Sequence, residues 1–173
     1  QKLIETKKSH ALLAEAKSLI EKEGIDVPIV SGGGSSNYPA CLEAGVLTEI
    51  QAGGGALTDS LYAYKAGLSD HGHKIGSLTL TTIMSVSPQN DRAMGDAGFK
   101  SVGWHPFGGL PLLRDRTDLK VIGLSAEHTK FEPTEGNKNV NVTRGEKIVL
   151  INGYTDAMGF LHKRIFAIRG DKV

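Results

Sequence analysis

The apolar residues near the start of the chain follow two spacings, one helical and one typical of buried strands. Within residues 9–23, leucine, isoleucine and alanine recur every three or four positions, which predicts an amphipathic helix. Residues 27–30 form a short continuous apolar run, typical of a strand buried on both faces of a parallel sheet, and residues 47–51 are expected to form the next strand. A short helix over residues 38–44 and helical turns over residues 59–67 follow these strands. This order predicts β-α-β-α units of an α/β fold.

The pattern changes near residue 78, where alternation with β-branched residues begins. Residues 78–86 predict a half-buried strand. Further strands are expected over residues 92–98, 119–124, 129–132, 147–151 and 164–169, with a strand and turn over 139–147. We therefore predict an α/β plus all-β chain, divided into residues 1–76 and a β domain over residues 77–173. Two strands are too few to close a (β/α)8 barrel, which needs about 250 residues. The chain is accordingly expected to be a fragment, or to complete a sheet supplied by other residues.

Both predicted strands of the α/β part end in glycine clusters. Gly32, Gly33 and Gly34 follow the first strand, and residues 53–55 are a second glycine triplet. Glycine turns expose backbone amides that can wrap a phosphate, and ligands bind at this edge of barrels and open sheets. A single cluster is more often a tight packing turn, whereas a pair at consecutive strand ends favours an anion site. No Gly-Lys-Ser/Thr sequence closes either cluster, and the dinucleotide-binding spacing is not met, so neither of those phosphate motifs is present.

The charge balance excludes several classes of partner. Lys and Arg number 20 against 19 for Asp and Glu, which leaves a net charge of +1 and gives no electrostatic case for nucleic acid or an anionic membrane. No apolar run reaches the roughly 18 residues of a membrane span. The single cysteine, Cys41, excludes an internal disulfide and a multi-cysteine zinc site, which predicts a reducing, cytoplasmic setting.

Several polar side chains are candidates for further chemistry. Asp156 follows the strand at 147–151 and is either a ligand for a hard divalent cation or the cap of a turn. His71 and His73 alternate in a glycine-containing loop, where solvent exposure is favoured over metal chelation. Residues 102–109 form a loop with aromatic side chains that either lines a pocket or covers the β domain. Cys41 is interpreted as a small hydrophobic residue.

Taken in order, six segments resemble the C-terminal half of the D-threonine aldolase and D-serine dehydratase family of pyridoxal-phosphate enzymes. They are residues 29–38, 48–53, 96–100, 124–128, 154–156 and 160–170. The resemblance implies the last βα units of an alanine-racemase-like (β/α)8 barrel, followed by a β-strand domain. It also implies a homodimer that acts on a small amino-acid substrate.

The resemblance further implies pyridoxal 5'-phosphate and a divalent metal, Mn or Zn. The cofactor's phosphate would lie at Gly33, Gly34, Ser35 and Ser36, with Gln51 and Gly53 as further cofactor-binding residues. Family members ligate the metal with a His and, two residues later, a Cys or Asp. These positions correspond to Tyr154 and Asp156, and tyrosine is a poor ligand while protonated, with a reference pKa of about 10.

The function implied is a lyase acting on a β-hydroxy-D-amino acid, of the D-threonine aldolase or D-serine dehydratase type. The family's Schiff-base lysine lies upstream of Gln1, and neither Lys100 nor Lys120 matches it, so the chain alone is expected to be inactive. The alternative is a non-catalytic relative that binds pyridoxal phosphate or another phosphorylated ligand and lacks the metal site.

Overall fold

The first part of the chain consists of helices around a two-stranded parallel sheet. The structure is a computed structural model that describes residues 1–170 and Lys172. Helix α1 covers Lys2–Lys22 and helix α2 covers Tyr38–Ala44. The strands β1, Ser31–Gly32, and β2, Glu49–Ile50, pair in parallel. The prediction for α2 is confirmed, because Pro39 opens the helix and Gly45, with φ of +70°, ends it.

Three helical turns connect this sheet to the second one. A 3-10 turn covers Gly53–Leu57, a π-helical turn covers Leu61–Lys65, and a second 3-10 turn covers Leu68–His71. The helical turns predicted over residues 59–67 are therefore present. This segment contacts the end of the second sheet, where the Ser60 amide donates to the Asn152 carbonyl oxygen at 3.0 Å.

The second sheet has six antiparallel strands in the order β5-β8-β3-β4-β7-β6. They are β3 (Leu78–Ser87), β4 (Arg92–Gly95), β5 (Leu112–Leu113), β6 (Leu119–Leu124), β7 (Thr129–Pro133) and β8 (Lys147–Ile151). A 3-10 turn at Pro88–Asn90 joins β3 to β4. The predictions over 119–124 and 147–151 match β6 and β8. Helix α3, Thr155–Leu161, follows β8.

The core lies on one face of this sheet. Its buried side chains are Ile83, Ala93, Ala97, Val102, Leu119, Phe131, Val142, Ile148 and Leu150. Alternation along β3 places Ile83 in this core while Leu80 and Met84 remain exposed, as a sheet covered on one face requires.

Several predicted elements differ from the structure. The strand predicted over residues 164–169 is wrong, because this segment has no strand partner within the described chain apart from an isolated bridge between Arg169 and Lys172. Residues 139–146 form irregular backbone and a turn rather than a strand. The predicted strand over 27–30 is displaced to β1, and α1 begins seven residues earlier than predicted. The apolar stripe of α1 is exposed, since the side chains that α1 buries are Thr6 and His10.

Asn152 joins the two parts of the chain at the end of β8. Its buried side chain donates to Ser77 Oγ (2.9 Å) and accepts from Thr79 Oγ1 (3.0 Å) and the Gly103 amide (3.1 Å), while its carbonyl accepts from the Ser60 amide (3.0 Å). These bonds fix the position of the segment that follows β8. Within residues 1–170 and at 172, no helix combines the length and apolar character that a membrane crossing needs.

Candidate functional site

The two glycine turns lie side by side. Strands β1 and β2 pair Ser31 with Glu49 and Gly32 with Ile50, so both strands end at the same edge. A direct hydrogen bond joins the turns, since the Gly55 amide donates to Ser35 Oγ at 3.0 Å. Although they are 20 residues apart in sequence, the two turns therefore form one surface.

Side chains from α2 shape the first turn. Gly33 has φ of +71°, and a Cβ built there would lie 2.9 Å from Cys41 Sγ, so this position requires glycine. The Gly34 amide donates to Asn37 Oδ1 at 2.9 Å. Cys41 is fully buried, which raises the pKa of its thiol and agrees with its interpretation as a hydrophobic residue.

Two amides of the first turn have no acceptor among the residues that the structure describes. Among residues 1–170, no hydrogen bond uses the amides of Ser35 or Ser36 as donors. Ser35 is buried and Ser36 is exposed. An anion that approaches the turn can therefore accept from backbone amides that make no competing bond.

His73 supports the second turn through both of its ring nitrogens. Its Nδ1 lies 3.3 Å from the Gly55 carbonyl oxygen, and its Nε2 lies 3.1 Å from the Tyr38 hydroxyl. The ring is half-buried, so the predicted solvated loop is wrong for this residue. His71 packs edge-on against Tyr38, with ring centroids 6.2 Å apart.

A buried carboxylate, Asp59, connects the helical turns to α3. Its Oδ1 accepts from the Tyr62 amide at 2.9 Å, and its Oδ2 accepts from the Thr155 amide. Asp59 is completely inaccessible to solvent. One side chain thus caps the N-termini of two helical segments, which the sequence separates by more than 90 residues.

Tyr62, Tyr154 and Asp156 form a cluster at the start of α3. The Tyr62 hydroxyl donates to Asp156 Oδ2 at 3.4 Å, and the two tyrosine rings lie 6.1 Å apart. Burial, and next the Asp156 charge, raise the pKa of Tyr62 above its ordinary value. A hydrogen bond to Asp156, followed by burial, raises the pKa of Tyr154. Both phenols therefore stay protonated and act as hydrogen-bond donors.

Gly54 gives Tyr62 the space that its ring occupies. A Cβ at Gly54 would lie 2.4 Å from the Tyr62 ring, so any other residue would displace the tyrosine. Tyr62 consequently lies against the second glycine turn while its hydroxyl reaches Asp156.

One cavity connects the first glycine turn with this cluster. Its volume is about 320 Å³, and its lining runs from Ser36 past Tyr62 to Tyr154 and His105. The lining includes Lys2 and Lys65 but no Asp or Glu. The cavity therefore favours a ligand with negative charge.

The loop over residues 102–109 lines the cavity, as one interpretation of the sequence expected. The ring of His105 lies 4.9 Å from that of Tyr154, and its Nδ1 accepts from the Phe107 amide at 3.1 Å. This bond places the proton of the neutral imidazole on Nε2. Lys65 donates to the Phe107 carbonyl oxygen at 2.6 Å and so holds this loop against the helical turns.

The remaining candidate residues lie away from the cavity. Gln51 donates to Ser31 Oγ at 2.9 Å, and Gly53 is exposed at the start of the second turn. Lys100 forms a surface ion pair with Glu127 at 2.8 Å. The sequence did not reveal Asp59, Tyr62 or Lys65, and the only local signal was that Tyr62 and Lys65 share a face of one helical turn.

The residues at 154 and 156 do not fit a divalent metal. Among the residues that the structure describes, no three His, Cys, Asp or Glu side chains lie close enough together to hold a metal ion. Tyr154 must lose its proton to bind a metal, and its surroundings oppose that loss. Asp156 is a lone carboxylate beside phenol donors, a set suited to hydrogen bonding instead of metal coordination.

Known proteins resemble this chain over nearly its whole length. A 3-hydroxy-D-aspartate aldolase of Paracoccus denitrificans is 30% identical over 167 residues, which are 94% of this chain and 42% of that protein. The crystal structure of D-threonine aldolase from Filomicrobium marinum covers 98% of this chain and 45% of its own, with a TM-score of 0.85 and 23% identity. An alanine-racemase-like protein of Idiomarina loihiensis covers 85% of this chain and 42% of its own, with a TM-score of 0.65 and 20% identity.

These similarities confirm the predicted fold class and the resemblance stated from the sequence. The chain spans about two-fifths of the length of the curated relative that it matches. The family described as "Putative serine dehydratase domain" matches residues 77–168, more than half of the chain. The chain therefore belongs to that family.

Proposed function

We propose that this chain is part of a pyridoxal-phosphate lyase acting on a β-hydroxy-D-amino acid, of the D-threonine aldolase or D-serine dehydratase type. The observation that carries the proposal is the pair of glycine turns, which Ser35 and Gly55 join, together with a cavity that runs from Ser36 of the first turn to Tyr154. The similarity to a 3-hydroxy-D-aspartate aldolase and the fold of a D-threonine aldolase support the same reaction class.

The proposed phosphate site consists of Gly33, Gly34, Ser35 and Ser36. The uncommitted amides of Ser35 and Ser36, and the absence of carboxylates from the described lining of the cavity, fit a phosphate dianion. Gln51 and Gly53 are proposed as supporting residues at the ends of the two strands. When bound, pyridoxal phosphate supplies an electron sink for bond cleavage beside the amino group of the substrate.

The proposed domain division assigns residues 1–76 to the cofactor-binding barrel and residues 77–173 to the β domain. The β domain then contributes Tyr154 and His105 to the lining of the cavity, and the barrel part contributes Ser36 and Tyr62. Asp156 lies beside the cavity as the hydrogen-bond partner of Tyr62. In this arrangement the substrate lies between the two parts, with its reacting hydroxyl toward α3. We also propose a homodimer, as the family resemblance implies.

A second candidate function is a non-catalytic protein that binds pyridoxal phosphate. The observation that favours it is Tyr154, which occupies the position where the family carries a metal-binding histidine. The full-length protein distinguishes the two functions: the visible absorbance of bound cofactor reports binding, and cleavage of D-threonine, with and without Mn²⁺, reports catalysis. Cofactor binding without cleavage of any β-hydroxy-D-amino acid would favour the second function.

The variant Gly34→Val tests the phosphate site. A Cβ at Gly34 meets no atom within 4 Å and its backbone is not left-handed, so valine should fold but occupy the space beside the free amides. We expect at least about tenfold weaker cofactor binding, as the loss of one charged hydrogen bond implies. Gly123→Val, on edge strand β6, is the matched control, since its Cβ makes only an ordinary contact with Lys130 at 3.9 Å. Unchanged cofactor affinity in Gly34→Val would contradict the assignment.

A further inference from the structure

We propose that Tyr62, Tyr154 and Asp156 bind the β-hydroxyl of the substrate directly, in place of a divalent metal. The inference rests on the proposed lyase function and extends it to how the hydroxyl is held. The role is one of binding, and no covalent bond forms or breaks in it.

The hydrogen-bonding capacity of the three side chains matches an alcohol. A hydroxyl group donates one hydrogen bond and accepts up to two. Asp156 offers a carboxylate acceptor, and the phenols of Tyr62 and Tyr154 offer donors within the same cluster. The Tyr62–Asp156 separation of 3.4 Å is long for an O–H···O bond, so a substrate hydroxyl that enters between them replaces a weak contact.

Neighbouring groups do not complete a metal site around Asp156. The nearest buried carboxylate, Asp59, uses both oxygens to accept backbone amides. His105 uses Nδ1 to accept from the Phe107 amide. Within the described residues, Asp156 accepts from the Tyr62 phenol and belongs to no group of three His, Cys, Asp or Glu side chains. Hard cations require several charged oxygen ligands.

Tyr62 is held in place before a ligand arrives. Gly54 leaves room for its ring, and Asp59 caps the helical turn on which it lies. Both Tyr62 and Tyr154 line the cavity that reaches Ser36, so a ligand anchored at the first glycine turn extends toward them. Fixed donors of this kind avoid the entropy cost of ordering a side chain on binding.

Equilibrium dialysis of the full-length protein against Mn²⁺ and Zn²⁺, with metal measured by mass spectrometry, tests the metal-free site. We expect less than a tenth of an equivalent bound to the wild type. Tyr154→His, which restores the family's histidine two residues before Asp156, is expected to gain metal binding. One equivalent of metal in the wild-type site would overturn the inference, whether or not the protein is active.

Kinetics of Tyr62→Phe test the hydroxyl-binding role. We expect a 10- to 100-fold lower kcat/KM for a β-hydroxy-D-amino acid, with unchanged cofactor absorbance, because one hydrogen bond in the site is lost. Tyr64→Phe is the matched control, since Tyr64 lies on the same helical turn and is 58% exposed. If Tyr62→Phe kept the wild-type kcat/KM, the inference would be overturned, but the proposed function would stand. A wild type that binds cofactor but cleaves no β-hydroxy-D-amino acid would overturn the proposed function and the role of Tyr62 with it.

Discussion

Replacing Asp59 by alanine should loosen two segments that are far apart in sequence. The carboxylate caps the helical turn at Leu61–Lys65 through the Tyr62 amide and caps α3 through the Thr155 amide. The Thr155 amide is buried and the Tyr62 amide is partly buried, so water replaces the lost carboxylate poorly at either position. The variant therefore affects α3, which carries Asp156, as well as the segment that carries Tyr62.

The magnitude follows from the two lost caps. Removing an Asp cap costs about 0.5–2 kcal/mol, and a buried amide left without a partner costs about 1–3 kcal/mol. Each segment loses one such partner, which reduces the free energy of its local opening by about 1–3 kcal/mol. Since about 1.4 kcal/mol corresponds to a factor of ten, amide exchange in each segment should accelerate by roughly 5- to 140-fold.

Hydrogen exchange followed by mass spectrometry of the full-length protein measures this effect peptide by peptide. Peptides covering residues 60–66 and 154–161 should exchange faster together, while those covering β4 and β7 should not change. Asp70→Ala is the matched control, because Asp70 is exposed and caps no helix through its side chain. Faster exchange in only one of the two peptides, or equal acceleration across the whole chain, would refute the double-cap argument.

Two further substitutions test the turn and the β domain. Gly33→Ala should lower the melting temperature, because alanine at φ of +71° costs about 1–2 kcal/mol and its Cβ would press on Cys41; an unchanged melting temperature would contradict this. Arg116 pairs with Asp118 and Glu146 at 2.6–2.7 Å, so Arg116→Met should cost about 1–2 kcal/mol in urea unfolding at neutral pH. The hydrogen bond from Arg116 lowers the pKa of Asp118 below the ordinary value of an aspartate, so this pair stabilises the folded state at pH values above that ordinary value. The difference between variant and wild type should therefore shrink as the pH falls through the lowered pKa of Asp118. A difference that grows on acidification would contradict the assignment.

Elements with local signals were predictable from the sequence. Helix α2 has a proline at its start and a glycine just after its end, and β6 and β8 are short apolar runs beside turns. Helix α3 was missed because it has only seven residues, includes Gly159, and takes its cap from Asp59, 96 residues away. No local pattern can report a cap from so distant a residue.

The residues of the site also fall into those that a local sequence signal predicts and those that it does not. The glycine turns could be located because tight turns and left-handed backbone favour glycine. The order of the strands indicated that the two turns would lie at the same edge of the sheet. Tyr62 could not be assigned, because its relation to Asp156 joins residues 94 positions apart and depends on the space above Gly54. The strand expected over residues 164–169 is the opposite case, in which a local pattern was present but the element was not. An alternating pattern does not form a strand unless a neighbouring strand pairs with it.

The packing of Cys41 beneath the first turn gives the chain an internal chemical reporter. Its sulfur lies against the backbone of Gly33 and is shielded from solvent, and burial further suppresses the reactive thiolate. Alkylation of this cysteine therefore requires the packing around it, which includes the first turn, to open. The rate at which Cys41 is alkylated, measured by peptide mapping, thus reports how often the first turn opens and how much a bound anion slows that opening.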